Sequence, residues 1–122
     1  MANEITLNLR VAVTNGLLKD DWNPGQLLFN QTTKGNTRLF QAIGTSAESV
    51  SFTDITPGFV VLRNHDTTNY VEYGMSDSGT IKILGKLRAN GGLAIFELAA
   101  STTLMLKANT ASCNVEIVAT NA

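Results

Sequence analysis

Few side chains of this 122-residue sequence could bind a metal ion, because it contains one histidine and one cysteine. His65 follows Asn64 in a polar segment beside Asp66, and Cys113 lies far along the chain. A zinc site needs several histidine, cysteine or carboxylate ligands that converge on one point. Asp20-Asp21 and Asp77 could supply oxygen ligands for calcium, but no Asp-x-Asp-x-Asp-Gly loop contains them. We therefore expect no metal ion, and a single cysteine excludes a disulfide within the chain.

Catalytic side chains are equally scarce. A Ser-His-Asp triad would have to use His65, yet no Gly-x-Ser-x-Gly motif is present. Glu72, Glu97 and Glu116 could form a carboxylate pair for glycoside hydrolysis, but they alternate with apolar residues and are expected on solvated strand faces. Cys113 has no basic neighbour in the sequence that would favour its thiolate. No glycine-rich phosphate loop precedes a helix. The sequence therefore predicts neither a catalytic residue nor a cofactor, and no enzyme.

Nucleic acid and membranes are also poor candidates for partners. The formal net charge is −1 and charged residues make up 16% of the chain, below the roughly 25% of ordinary domains. Lys82, Lys86 and Arg88 cluster, but isoleucine and leucine stand between them where aromatic platforms would be needed. No apolar run approaches the ~20 residues of a membrane-spanning helix. The first residues are neither basic nor followed by an apolar stretch, so we expect no secretory signal.

Alternating apolar and polar residues predict β-strands along most of the chain. From Ile5 to Val13 every second residue is apolar, and Asn15-Gly16 then favours a tight turn. Residues 20–25 are predicted as a loop, and residues 26–31 and 37–43 as a hairpin. Short runs of this kind recur every roughly 8–12 residues, with turn residues between them. The pattern predicts one all-β domain over residues 1–122, a β-sandwich or jelly roll of about nine or ten short antiparallel strands.

The same alternation predicts which side chains form the core. The continuous apolar run at residues 59–62 is typical of a strand that is covered on both faces. Ten residues are predicted to face inward: Leu7, Leu9, Leu39, Val60, Leu62, Val71, Ile83, Ile95, Leu104 and Ile117.

Five segments of unusual composition carry a resemblance to a known family. They are MANEIT at residues 1–6, QAIGTSAE at 41–48, TPGFVVLRN at 56–64, TNYVEYG at 68–74 and LKANTA at 106–111. With these segments the sequence resembles small, single-domain β proteins encoded among the structural genes of tailed bacteriophages and prophages. The similarity extends over nearly the whole chain, and its motifs are turn and strand residues with no catalytic signature.

The resemblance implies a virion protein made in the cytoplasm of the bacterial host. Proteins of this kind include capsid decoration, or cement, proteins, which sit on the exterior of the head and clamp neighbouring major capsid proteins. They commonly assemble as trimers or dimers, and we expect a homo-oligomer, with a trimer favoured. The residues expected at the partner interface are Asn3, Glu4, Trp22, Asn64 and Asn121. The alternative is a tail, baseplate or fibre module that contacts a host glycan through Trp22, Tyr70 or Tyr73.

Overall fold

The protein is all-β: in the computed structural model about 60% of the chain is in strands, and every strand pairing is antiparallel. The structure describes residues 4–52 and 55–121, and these contain twelve strands and no helix. The sequence predicted nine or ten strands. The two additional strands arise because the first predicted strand is interrupted at Leu9 and Arg10, and because residues 18–22 form a strand of their own.

Residue contacts divide the chain into two compact units, residues 1–33 and 34–122. In the first unit, β1 (Ile5–Asn8) pairs with β4 (Gln26–Phe29), and β2 (Val11–Asn15) pairs with β3 (Leu18–Trp22). Two-stranded sheets cannot enclose a core, and none of the described residues of this unit is buried. The described residues of the first unit therefore form no buried core of their own.

The second unit contains two four-stranded sheets. The first, which we call sheet I, has the order β10-β7-β12-β5, and the second, sheet II, has the order β6-β11-β8-β9. Their strands are β5 (Asn36–Ile43), β6 (Glu48–Ser49), β7 (Pro57–Asn64), β8 (Val71–Asp77), β9 (Thr80–Leu87), β10 (Leu93–Glu97), β11 (Leu104–Ala108) and β12 (Cys113–Asn121). The expected hairpin of residues 26–31 with 37–43 is wrong, because β4 pairs with β1 and β5 pairs with β12.

One buried cluster holds the second unit together, and both sheets contribute to it. Along β12 the buried residues are Cys113, Val115, Ile117 and Ala119, which alternate with less buried side chains as the sequence pattern predicts. Five of the ten predicted core residues are buried: Val60, Leu62, Val71, Leu104 and Ile117. Leu39 packs against the cluster from its edge. Leu7 and Leu9 are half-buried in the first unit.

A β-bulge explains why the prediction for Ile83 is wrong. The register of β8 with β9 shifts between the pairs Tyr73–Gly85 and Gly74–Ile83, which leaves Leu84 as an extra residue. One extra residue reverses the face on which all later side chains lie. Ile83 is therefore 50% exposed, although its spacing from Gly85 and Leu87 suggests the inner face.

Ile95 also lies on the opposite face from the one predicted. Its partner in β7 is Val61, while the buried Val60 and Leu62 pair with Phe96 and Ala94. Both faces of β10 carry apolar residues, so the sequence alone could not distinguish them, and the register with β7 decides.

Candidate functional site

The hairpin β2–β3 exposes an apolar surface, which we call the hairpin face. The register pairs Val11 with Trp22 and places Val13 and Leu18 on the same side of the ribbon. These four side chains are between 43% and 61% exposed. Asp20 pairs with Val13 and so lies among them. The hairpin turns at Gly16 with φ +60°, at the first central position, where type II′ turns favour glycine.

The other side of the same hairpin is polar. Asp21, Thr14 and Lys19 lie on it, and Arg10 reaches Asp21 from just before β2. The Arg10 Nε and Nη2 atoms donate to the two Asp21 carboxylate oxygens at 2.9 and 2.7 Å. This bidentate contact lowers the pKa of Asp21. The hairpin is thus amphipathic, with its ion pair on one side and its apolar residues on the other.

The outer face of sheet I is a second apolar surface, crossed by charged residues. One row of cross-strand neighbours contains Phe40, Glu116, Arg63 and Leu93, and the next row contains Arg38, Val118, Val61 and Ile95. Phe40 is 56% and Leu93 is 50% exposed. A shallow depression of about 310 Å³ lies among these rows. We call this surface the sheet I face.

Basic side chains surround Glu116 at the centre of the sheet I face. His65 Nε2 lies 2.8 Å from one carboxylate oxygen and Arg38 Nε lies 3.6 Å from the other. The hydrogen bond with His65, followed by the charges of Arg38, His65 and Arg63, lowers the pKa of Glu116. Arg63 itself makes no ion pair with any described residue. The two rows contain two arginines and one glutamate, and Glu97 adds a second carboxylate to the same side of sheet I.

A cleft of about 360 Å³ lies between the two sheets beside β9 and β10. Its walls are mainly apolar and include Leu84, Phe96, Leu98 and Leu104. Tyr73 stacks on Phe96, with ring centroids 6.1 Å apart and planes within 4°. The Tyr73 ring also lies over Gly85, where a Cβ atom would collide with it. This tyrosine therefore fills space between the sheets.

The five predicted interface residues do not come together. Asn3 lies outside the described residues, and the Glu4 carboxylate accepts a hydrogen bond from the Gln31 amide at 3.0 Å. Trp22 is on the hairpin face. Asn64 and Asn121 stand at opposite ends of β7, because Asn121 pairs with Pro57. The Asn121 side chain binds backbone groups, accepting from the Thr56 amide at 3.1 Å. Trp22 alone among the described four belongs to an exposed apolar surface.

Asn64 is fully buried, so its side chain offers no surface to a partner. Its amide nitrogen donates to the carbonyl oxygens of Asn69, Leu87 and Arg88 at 2.9, 3.2 and 3.2 Å. Its oxygen accepts from the Asp66 amide at 2.9 Å. The residue ties the end of β7 in sheet I to the end of β9 in sheet II. The polar run Asn64-His65-Asp66 is typical of a surface loop, so the sequence did not predict this role.

The groups considered for metal binding and catalysis lie apart. No three His, Cys, Asp or Glu side chains within residues 4–52 and 55–121 are close enough to hold a metal ion. Cys113 is buried, and burial followed by the charge of Asp66 raises the pKa of its thiol. Tyr70 is covered by Lys86, whose Nζ lies 4.8 Å from the ring centroid. The described part of the chain also contains no apolar helix of the length that a membrane crossing needs.

Comparison of the chain with protein-family models, with curated proteins and with solved structures finds no match.

Proposed function

We propose that this chain is a structural protein of a tailed-phage particle, a capsid decoration protein that binds the outer surface of the head and reinforces the shell. Its partners in this proposal are the major capsid protein and further copies of itself, with a trimer favoured. The protein acts on the exterior of the virion after synthesis in the host cytoplasm, and it works by binding, without catalysis.

The observation that carries the proposal is the exposed apolar surface of residues 4–33. An isolated two-stranded hairpin is at best marginally stable in water. The hairpin β2–β3 nevertheless leaves Val11, Val13, Leu18 and Trp22 uncovered. Contiguous apolar patches of this kind mark surfaces that bind other proteins. A subunit that stays bound to its neighbours can carry such an exposed apolar hairpin, because the neighbours cover it. The family resemblance points to the phage head as the place of binding.

The second unit suits this role as a rigid support. We propose that sheets I and II pack face to face as a β-sandwich, because residues of both sheets share one buried cluster. A rigid module that binds the assembled shell, and not the free capsid subunits, stabilises the shell by RT ln(1 + [L]/Kd) at each site. Many such sites add up to substantial resistance against internal pressure.

A tail or fibre module is the competing proposal, and the exposure of Trp22 is its best support. Exposed aromatic rings suit the apolar faces of sugars. Tyr70 and Tyr73 no longer favour this proposal, since Lys86 covers one ring and Phe96 and Gly85 contact the other.

The test compares particles produced with and without this gene. We expect particles that lack the protein to lose DNA at lower temperature and on exposure to a chelator, and purified protein to restore their resistance. Electron microscopy of the complemented particles should show its density on the head at many symmetry-related positions. Equal resistance, together with density confined to the tail, would reject the decoration proposal in favour of the tail module.

A further inference from the structure

Two surfaces of this chain, the hairpin face and the sheet I face, carry exposed apolar side chains. The hairpin face is apolar with one acid, Asp20, which makes no ion pair with any described residue. The sheet I face is apolar between its charged residues, and its Arg63 likewise makes no ion pair with any described residue. We propose that the hairpin face of one copy packs on the sheet I face of a second copy, with Asp20 near Arg63.

The apolar composition of β7 supports this occupant of the sheet I face. Phe59 to Leu62 is a continuous apolar run, as in strands covered on both sides. On one side of β7 Val60 and Leu62 are fully buried, while Val61 on the other side is half-buried and lines the shallow depression. A second layer of β-structure would complete the burial of Val61 and of its neighbour Val118.

The dimensions of the two surfaces also agree. Adjacent strands lie about 4.8 Å apart and packed sheets about 10 Å apart. A two-stranded ribbon can therefore lie across the central strands of sheet I, with β7 and β12 beneath it. Val11, Val13, Leu18 and Trp22 would then contact Val61, Val118, Phe40 and Leu93.

Charge favours a second copy over an unrelated protein. Because Asp20 and Arg63 belong to the same sequence, copies of this chain can neutralise both without any other partner. Unpaired charges at a buried interface are costly, and opposite charges set the register of association. The contact is head-to-tail, since it joins two different surfaces. Such contacts form closed rings when the rotation between copies allows it, which is how a trimer would arise.

This mode of assembly does not require a phage head, so the purified full-length chain tests it. Trp22 is the only tryptophan and lies on the hairpin face. We expect its emission to shift to shorter wavelength as protein concentration rises, in parallel with oligomer formation in sedimentation velocity. If the protein binds heads but stays monomeric, this proposal and the expected trimer fail, while the proposed binding to the head stands.

Four single substitutions locate the contact. Val13→Asp adds an acid to the hairpin face, and its control Thr14→Asp adds one to the polar side of the same strand. Leu93→Asp adds an acid to the sheet I face, and its control Leu84→Asp changes a leucine of sheet II that is 72% exposed. We expect Val13→Asp and Leu93→Asp each to weaken association at least tenfold and to abolish the Trp22 shift, and both controls to behave as wild type.

Arg63→Gln provides a second variant of sheet I that removes charge without adding an acid beside Glu116. We expect it to weaken association and to reduce its dependence on salt concentration. Far-UV circular dichroism confirms that each variant is folded. Assembly that responds to Val13→Asp but to neither Leu93→Asp nor Arg63→Gln would overturn the proposal, because the hairpin would then bind another surface. A Trp22 emission that is independent of concentration would overturn it as well.

Discussion

The contribution of the Asn64 side-chain amide to stability can be tested with the isosteric substitution Asn64→Asp, which replaces the donor nitrogen by an oxygen. In the folded protein this nitrogen serves three backbone carbonyl groups, at 2.9, 3.2 and 3.2 Å, in a fully buried position. A carboxylate there would face those three oxygens with no hydrogen to share. The oxygen that accepts from the Asp66 amide is retained. The substitution therefore measures the effect of losing the donor alone.

The expected loss of stability follows from the removal of the two N–H groups of the amide. Each net hydrogen bond contributes about 1 kcal/mol, and each carbonyl that is left buried without a donor costs roughly 1–3 kcal/mol. Burial of a carboxylate among carbonyl oxygens adds to this unless the group takes up a proton. We therefore expect Asn64→Asp to lower the free energy of unfolding by about 3–5 kcal/mol at pH 7. That is a large part of the roughly 5–15 kcal/mol that stabilises a typical domain.

The pH dependence has a definite sign. Burial and the surrounding carbonyl oxygens favour the neutral acid, so the pKa of the introduced carboxyl is higher in the folded than in the unfolded chain. A group of this kind stabilises the protein below its unfolded pKa and loses that contribution as pH rises through its folded pKa. The difference from wild type should therefore be smaller at pH 4 than at pH 7, because the protonated carboxyl can donate one hydrogen bond.

Urea unfolding followed by far-UV circular dichroism measures both effects. The matched control is Asn36→Asp, because Asn36 is exposed at the start of β5, and it should change stability by less than about 0.5 kcal/mol. A loss below about 1 kcal/mol at pH 7, or an equal loss in the control, would refute the role assigned to Asn64.

Three further changes probe the core, the bulge and the sheet I face. Leu62→Ala should cost about 2–5 kcal/mol in urea unfolding, since Leu62 is fully buried, whereas Leu84→Ala should be nearly neutral. Gly74→Ala should lower the melting temperature because a Cβ atom would overlap the backbone of β9, and Gly44→Ala, whose Cβ would meet only ordinary contacts, is its control. The pKa of Glu116 is lowered in the fold, chiefly by its hydrogen bond with His65, so its stabilising contribution is lost as pH falls through that lowered pKa. Melting curves between pH 5 and 2 should accordingly be less steep in pH for Glu116→Gln than for wild type, and equal slopes would contradict this account.

The strands of the second unit could be predicted from sequence because most of them have one buried and one outer face, which produces alternating apolar and polar residues. On β12 a strict alternation from Cys113 to Ala119 matches one buried and one outer face. The prediction fails at Ile83, where Leu84 is inserted into the ladder, since a bulge leaves the alternation of the sequence unchanged while it reverses the face. It also fails at β3, because Asp20 and Asp21 resemble turn residues although their register with β2 places them in a strand.

The exposed apolar surfaces were harder to predict than the strands. Trp22 was predicted at the partner interface, whereas Val11 and Val13 were assigned to a strand and to neither the core nor the interface. Whether an apolar strand face is covered depends on which strands lie opposite it, and local sequence does not contain that information. The Phe59–Leu62 run predicts coverage on both faces, and the structure buries Val60 and Leu62 fully on one face and leaves Val61 half-buried on the other.

The division into two units predicts that residues 34–122 fold without the first 33. Every residue of the buried core lies between Ile43 and Ala119, so the truncated chain retains the whole hydrophobic cluster. Neither four-stranded sheet contains a strand of the first unit. We expect the truncated chain to unfold cooperatively at a midpoint close to that of wild type under conditions where both are monomeric. It should also lack the proposed association between copies, because the hairpin face is gone. A truncated chain that shows no unfolding transition would mean that the exposed apolar residues of the first unit stabilise the second, and both the proposed assembly and the proposed role of the hairpin would need revision.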